Sequence, residues 1–310
     1  MPDLLCMGEP MLELNQMRPD AEGKVLYLQG HGGDTSNAAI AAARSGAHVG
    51  YVTAIGTDAP GDSFMALWAR EGVDTATVRR DPAAPTGLYL VTHDEGGHHF
   101  TFYRRGSAAS RYAPADVPEA AIRAARILHV SGISQAISES ACDAVFHAMA
   151  AAKSAGVKVS YDTNLRLSLW PAARAAAVIH AGIAGADLAF PSFDDARSLT
   201  GLEEPDAIAD LYLRLGCPVV LLKLGAKGVL VATPGRRERI APRRVKAVDA
   251  TGAGDSFAGA FLARSLEGAD PFAAAEYANA AAALAVTGYG AVAPIPRREA
   301  VEALLRGGAG

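Results

Sequence analysis

Cysteine is scarce in this chain of 310 residues. Cys6, Cys142 and Cys217 are odd in number, far apart and set in apolar segments. That pattern argues against a disulfide framework or a cysteine metal site, and fits buried thiols in a reducing compartment. Basic charge is thin as well. Lys and Arg number 29 against 33 Asp and Glu, a formal charge of −4, and no basic block or stripe appears. No nucleic acid and no membrane surface is therefore expected as a partner. A charged-then-apolar N-terminal leader is missing, as is any apolar run approaching a membrane span. There is no internal repeat and no Pro- or Ser-rich linker. These absences leave a cytoplasmic protein, long enough for one large α/β domain or two smaller ones.

Half of the residues are apolar, and much of that half is alanine, which favours helices. Leu4–Met7, residues 48–55, Ile127–Ser131, residues 157–161, Leu188–Phe190 and Val219–Lys223 read as buried strands. Helical stretches fall between many of them: residues 38–44, a run closing near Gly72, Glu139–Ser154, a run to Gly201, and residues 207–215. That alternation is the rhythm of a parallel sheet with right-handed crossovers. The turn from Leu224 to Gly228 implies that Val229–Ala232 pairs antiparallel, and residues 236–239 read as basic and exposed. Two alanine-rich helices (257–266 and 271–286) and Arg298–Arg306 complete the chain, before a frayed Gly-Gly-Ala-Gly end.

Residues 86–105 break the rhythm. Segments 88–92 and 99–103 are β-rich and flank the turn Asp94-Glu95-Gly96-Gly97, which makes a hairpin. With extended pieces near 11–14 and 23–29 it forms a small sheet of its own. Its apolar face must close over a ligand, a second subunit, or both. His93, His98 and His99 lack a matching ligand cluster and read as solvated turn residues. In Tyr103-Arg104-Arg105 the adjacent arginines point to opposite faces, so at most one faces a cleft.

The run Asp249-Ala250-Thr251-Gly252-Ala253-Gly254-Asp255 follows an apolar segment and opens a helix. Phe257, Ala260 and Phe261 line one side of that helix. A glycine turn at a helix N-terminus is suited to an anion. Asp255 reads either as a helix cap or as a base beside that anion. A dinucleotide fingerprint would lie early in the chain, a Walker loop needs Lys-Ser/Thr after its glycines, and no Gly-x-Ser-x-Gly elbow is present. Phosphoryl transfer to a hydroxyl remains, with a carboxylate taking the proton and backbone amides holding the charge. Upstream, Gly32-Gly33-Asp34-Thr35-Ser36-Asn37 reads as a helix start capped by Asp34, Thr35 or Ser36, or as a contact for a polyol. Asp162-Thr163-Asn164-Leu165-Arg166 lies beyond a strand's carboxyl end, where ligands of parallel sheets bind. It reads equally as an Asx turn with a surface arginine.

Asp249-x-Thr251-Gly252-x-Gly254-Asp255 resembles the C-terminal signature of the ribokinase/PfkB family of sugar kinases. Gly32-Gly33-x-x-x-Asn37-x-Ala39 resembles its N-terminal signature, and Gly56-x-Asp58-x-x-Gly61 is a further mark. The resemblance spans essentially the whole chain. It implies one kinase domain over residues 1–310, an α/β/α sandwich with a mainly parallel sheet and a small β lid, its segments about 11–33 and 86–108. It also implies ATP with Mg²⁺, Asp255 as catalytic base, and the turn of Gly252, Ala253 and Gly254 as the anion cradle. Ser192, Lys223, Gly225, Gly228, Thr251, Gly252, Gly254 and Asn279 stand at nucleotide-side positions. Ser192-x-x-Asp195 replaces the common Asn-x-x-Glu, which makes Asp195 a metal contact through water. A monovalent cation near Asp249 and a homodimer through the lid, or a higher homo-oligomer, occur among relatives.

A narrower resemblance is to 2-keto-3-deoxygluconate kinases. It rests on Gly33-Asp34-Thr35-x-Asn37, Gly87-Leu88-Tyr89, Tyr103-x-Arg105-x-Ser107-Ala108, Leu128-x-x-Ser131-Gly132-Ile133 and Asp162-x-Asn164-x-Arg166-x-x-Leu169-Trp170. It implies a sugar-acid substrate held by Gly33, Asp34, Asn37, Tyr89, Tyr103, Arg105, Asn164, Arg166 and Asp255. Guanidinium groups at Arg105 and Arg166 would grip its carboxylate in bidentate fashion. The alternative is a neutral sugar such as fructose, ribose or a nucleoside.

Overall fold

The computed structural model describes residues 1–94 and 97–307; Glu95 and Gly96, which the sequence places in a turn, the His98 side chain and residues 308–310 lie outside the described residues. Short apolar runs form strands β1 (Leu4–Met7), β4 (Val49–Gly56), β5 (Val78–Asp81), β8 (Ile127–Ser131), β9 (Lys158–Asp162), β10 (Leu188–Phe190) and β11 (Val219–Lys223). All pair in parallel, and β12 (Val229–Ala232) and β13 (Arg237–Ile240) add an antiparallel edge. The order is β13-β12-β11-β10-β9-β8-β1-β4-β5. Helices cover both faces. On one, Tyr51, Trp68, Phe190 and Phe261 sit in an apolar layer beneath helices Asp34–Arg44, Ala59–Glu71, Ala253–Leu266 and Pro271–Ala285. On the other, Tyr161, Ile179 and Tyr212 pack with helices Glu139–Ser154, Ala172–Ala184 and Pro205–Arg214. The fold is an α/β/α sandwich.

Several elements differ from the sequence reading. Helix Ala172–Ala184 was not visible in it, because Pro171 at its N-cap provides no side-chain cap. β13 alternates: Arg237 and Arg239 reach out to Asp206 while Ile240 turns in. Its outward charges disguise it as a loop. The first helix is capped by Gly33 without a side-chain bond, so Asp34, Thr35 and Ser36 are inside the helix and Asp34 is released for other contacts.

A second sheet of the described residues, β3-β2-β6-β7, is built from β2 (Met11–Gln16), β3 (Tyr27–Gly32), β6 (Gly87–Asp94) and β7 (Gly97–Tyr103). One link between it and the main domain runs through Glu9. The Glu9 carboxylate accepts from Arg104 Nε at 2.8 Å and from Ser107 Oγ at 2.6 Å. Gly33, at φ 105°, leaves no room for a side chain, since a Cβ would lie 2.5 Å from the Glu9 carbonyl oxygen. Asp58 caps its helix through Gly61 N and also accepts from Thr86 N and Oγ1 at 2.8 and 2.7 Å. The Gly-x-Asp-x-x-Gly mark thereby anchors the start of the lid strand β6.

Small side chains decide how the site is assembled. A Cβ on Gly259 would lie 2.1 Å from the Ala38 carbonyl oxygen, so helices Asp34–Arg44 and Ala253–Leu266 touch backbone to backbone. Alanine and glycine permit that approach. It brings residues from opposite ends of the chain together at one end of the sheet.

Candidate active site

At the carboxyl ends of the parallel strands lies a cavity of about 1300 Å³, roofed by the lid. Gly33, Asp34, Asn37, Tyr89, Asn164, Arg166 and Asp255 line it on the lid and first-helix side. Ser192, Asp195, Lys223, Gly225, Thr251, Gly252 and Gly254 line the remainder.

Asp255 is the third residue of helix Ala253–Leu266, whose N-cap is Gly252 at φ 74°. Its carboxylate does not cap the helix. It accepts instead from Asn37 Nδ2 at 2.8 Å. Burial, and next the Asp34 carboxylate, push the Asp255 carboxyl up to about 7, against the Asn37 bond and Lys223. A carboxylate with that affinity for a proton is suited to general-base work at neutral pH. Asp34 accepts from Asn164 Nδ2 at 2.9 Å. Asn164 holds a positive φ of 29°, a costly conformation for a residue other than glycine. Its backbone N–H is fastened to Asp162. Asp162 in turn accepts from Lys223 Nζ at 2.6 Å in a buried ion pair. Burial raises the Asp162 carboxyl, and Lys223 opposes the rise.

Among the described residues, the amides of Gly252, Gly254 and Asp255 make no hydrogen bond, whereas Ala253 N donates to Ala250 O at 3.2 Å. Of the expected cradle of Gly252, Ala253 and Gly254, the Ala253 amide is bonded inside the turn, and the unbonded amides are those of Gly252, Gly254 and Asp255. Outward amides at a helix start fit a phosphoryl group. Gly254 faces Lys223, whose Nζ would be 3.2 Å from a Cβ there. Asp249 braces this turn, accepting from Thr251 N and Oγ1 and from Gly290 N.

Five expected residues are not in the cavity wall. Tyr103 is 57% exposed and Arg105 is exposed too, and the reason is register. Tyr89 pairs with Phe102, so Phe102 and, two residues on, Arg104 share its face, and both line the cavity. Tyr103 and Arg105 have the opposite parity. The structure places Arg104 in the wall in place of Arg105, already paired with the buried Glu9. Gly228 serves a turn, at φ 85° with a Cβ 2.1 Å from Ile240 O. Asn279 donates to Ala241 O at 2.6 Å, outside the wall. The fifth, Ala253, spends its amide on Ala250 O. Ser192 Oγ caps its helix through Asp195 N, and Asp195 accepts from Leu165 N at 3.1 Å. The described residues contain no group of three or more His, Cys, Asp or Glu able to hold a metal by themselves, and their three cysteines are free and buried. Glu9 and Arg104 were missed. Parity along the strand leaves one of Arg104 and Arg105 facing the cavity, and only the Tyr89–Phe102 pairing says which.

The Asp255 carboxyl, the unbonded amides at the helix start and the buried Lys223 thus meet at one end of the cavity. A profile described as pfkB family carbohydrate kinase matches residues 1–298. The chain belongs to that family. Among relatives of this pfkB-family carbohydrate kinase, a 2-dehydro-3-deoxygluconokinase of Thermoproteus tenax is 36% identical over 98% of this chain and 94% of its own length. A probable fructokinase-4 of Arabidopsis thaliana is 34% identical, over 93% and 90%. The structure of a fructokinase with bound ATP from Xylella fastidiosa superposes with a TM-score of 0.90 at 27% identity, covering 99% of both chains. The protein is a sugar kinase, and ATP binding accords with that likeness. No helix among the described residues is long and apolar enough to cross a membrane.

Proposed function

We propose that this kinase transfers the γ-phosphoryl group of ATP to the C6 hydroxyl of 2-keto-3-deoxygluconate, giving the 6-phosphate and ADP. One observation carries the choice of an acid. Arg166 lines the cavity, and its guanidinium bonds to the Leu165 carbonyl oxygen at 2.7 Å without a carboxylate partner among the described residues. A cationic fork left uncompensated in a sugar site favours an anionic substrate. Asp255 accepts the hydroxyl proton as that oxygen bonds to phosphorus and the phosphorus–oxygen bond to ADP breaks. The amides of Gly252, Gly254 and Asp255 steady the charge on the phosphoryl oxygens. Lys223, Gly225 and Thr251 would flank the nucleotide's phosphates. Mg²⁺ would neutralise phosphate charge, with Ser192 and Asp195 meeting its water shell, and a monovalent cation, where bound, belongs beside Asp249. Three free, buried cysteines fit a reducing, cytoplasmic compartment.

A neutral sugar is the second reading. Glu9 cancels the charge of Arg104, the other arginine on the lid side, and fructokinases share about a third of the sequence. An ADP-release assay across acidic and neutral sugars decides between them. Turnover of 2-keto-3-deoxygluconate well above that of fructose and ribose is expected, and activity confined to neutral sugars would sink the first reading.

The lid also exposes Val25, Leu28 and Phe100 at 51–60%, on and beside its edge strands β3 and β7. Two lids facing one another would bury them. Light scattering is expected to return twice the chain mass of 31.9 kDa; a monomer at micromolar concentration would count against lid pairing.

A further inference from the structure

Glu13 and Tyr89 are cross-strand neighbours in the lid, on one face of the sheet. Tyr89 Oη donates to Glu13 Oε2 at 2.5 Å, with Tyr89 7% and Glu13 9% exposed. Gly30 flanks Glu13 on its other side. A Cβ at Gly30 would lie 3.1 Å from Glu13 Oε1, and one at Gly32 only 2.7 Å from Tyr89 Oη. Glycines at alternate positions weaken a strand. Here they leave the space in which the pair lies flat against β3. Tyr89 and Gly32 line the cavity; Glu13 stands behind them.

A tyrosine hydroxyl owns one proton and can accept through its oxygen. With the proton given to the carboxylate, the oxygen can act toward the cavity only as an acceptor. We propose that Glu13 is a positioning residue that commits the Tyr89 proton, so that the lid selects a substrate hydroxyl at this place over a carboxylate or keto oxygen. Gly30 and Gly32 keep the pair in register. The proposal rests on the cavity being a sugar site, but not on the sugar being an acid.

The test uses Glu13→Gln, which keeps the shape and lets Tyr89 donate elsewhere, together with Tyr89→Phe and the double variant. In the ligand-free protein the Tyr89 ring Cζ resonance, identified by its loss in Tyr89→Phe, should move in Glu13→Gln. An unmoved resonance overturns the proposal. On whichever sugar is turned over, Glu13→Gln should lower kcat/KM about 10–100-fold, mainly through KM, and have no further effect in the Tyr89→Phe background. Equal losses in both backgrounds overturn the proposal as well. Should Glu13→Gln not fold, Gly32→Ala displaces the Tyr89 hydroxyl and must shift the same resonance. Absence of turnover with every sugar would strike the sugar-site reading, while the resonance alone still decides whether Glu13 holds the proton.

Discussion

Asp255→Asn is expected to lower kcat by about 10²–10⁴-fold with the fold intact. The asparagine keeps the shape and can still meet Asn37, but it cannot take a proton from the substrate hydroxyl. Two companion measurements separate a base from a structural residue. The first is the pH profile. Because burial and Asp34 raise the Asp255 carboxyl to about 7, kcat/KM of the parent enzyme should climb through neutrality and level off above it. The second is stability. Asp255 binds its proton more tightly folded than unfolded, where a carboxyl near 3.8 is expected. Its contribution is therefore fully present below pH 3.8, falls as pH rises, and is lost above about 7. Asparagine carries no such loss. The ligand-free variant should melt roughly 2–5 °C above the parent at pH 8, with the gap closing toward pH 4. Near-normal kcat would return Asp255 to a structural role.

Arg166→Ala should raise KM for the acidic sugar by about 10–150-fold, or about 1.5–3 kcal/mol, the worth of hydrogen bonds to a charged group at a side chain that is exposed in the ligand-free protein. Turnover at saturation should change far less, since Arg166 holds a part of the substrate remote from the transferred group. Arg166→Lys should recover only part of the loss, because an ammonium keeps the charge but not the planar fork. Neutral sugars, if accepted at all, should be indifferent to both changes. An unchanged KM for the acid would remove Arg166 from the site and favour the neutral-sugar reading.

Much of this was legible in residue order. Parallel strands announce themselves as short apolar runs between helical stretches, and the glycine turn before Asp255 is a local feature that neighbouring residues define. The antiparallel strand at Val229–Ala232 followed from its turn. The two lid strands Gly87–Asp94 and Gly97–Tyr103 followed from their composition. Where charged side chains stand outward along an edge, as in Arg237–Ile240, the same logic misreads a strand as a loop. It also misjudges a helix start such as Gly33, where no side chain marks the cap.

The choice between Arg104 and Arg105 shows where residue order stops being enough. Alternation along a strand establishes that only one of them can face the cavity, and pairing of Tyr89 with Phe102 decides which. The sequence by itself determined the sheet-and-helix rhythm, which depends on local periodicity, and the motifs that resemble those of the family, which depend on residue identity. Only the tertiary structure decided that Asn37 donates to a carboxylate 218 residues away, that Glu9 pairs with Arg104, and that Tyr89 donates its hydroxyl hydrogen bond to Glu13. Those are matters of distance and desolvation between segments remote along the chain, and they set the proton affinity and charge of the site.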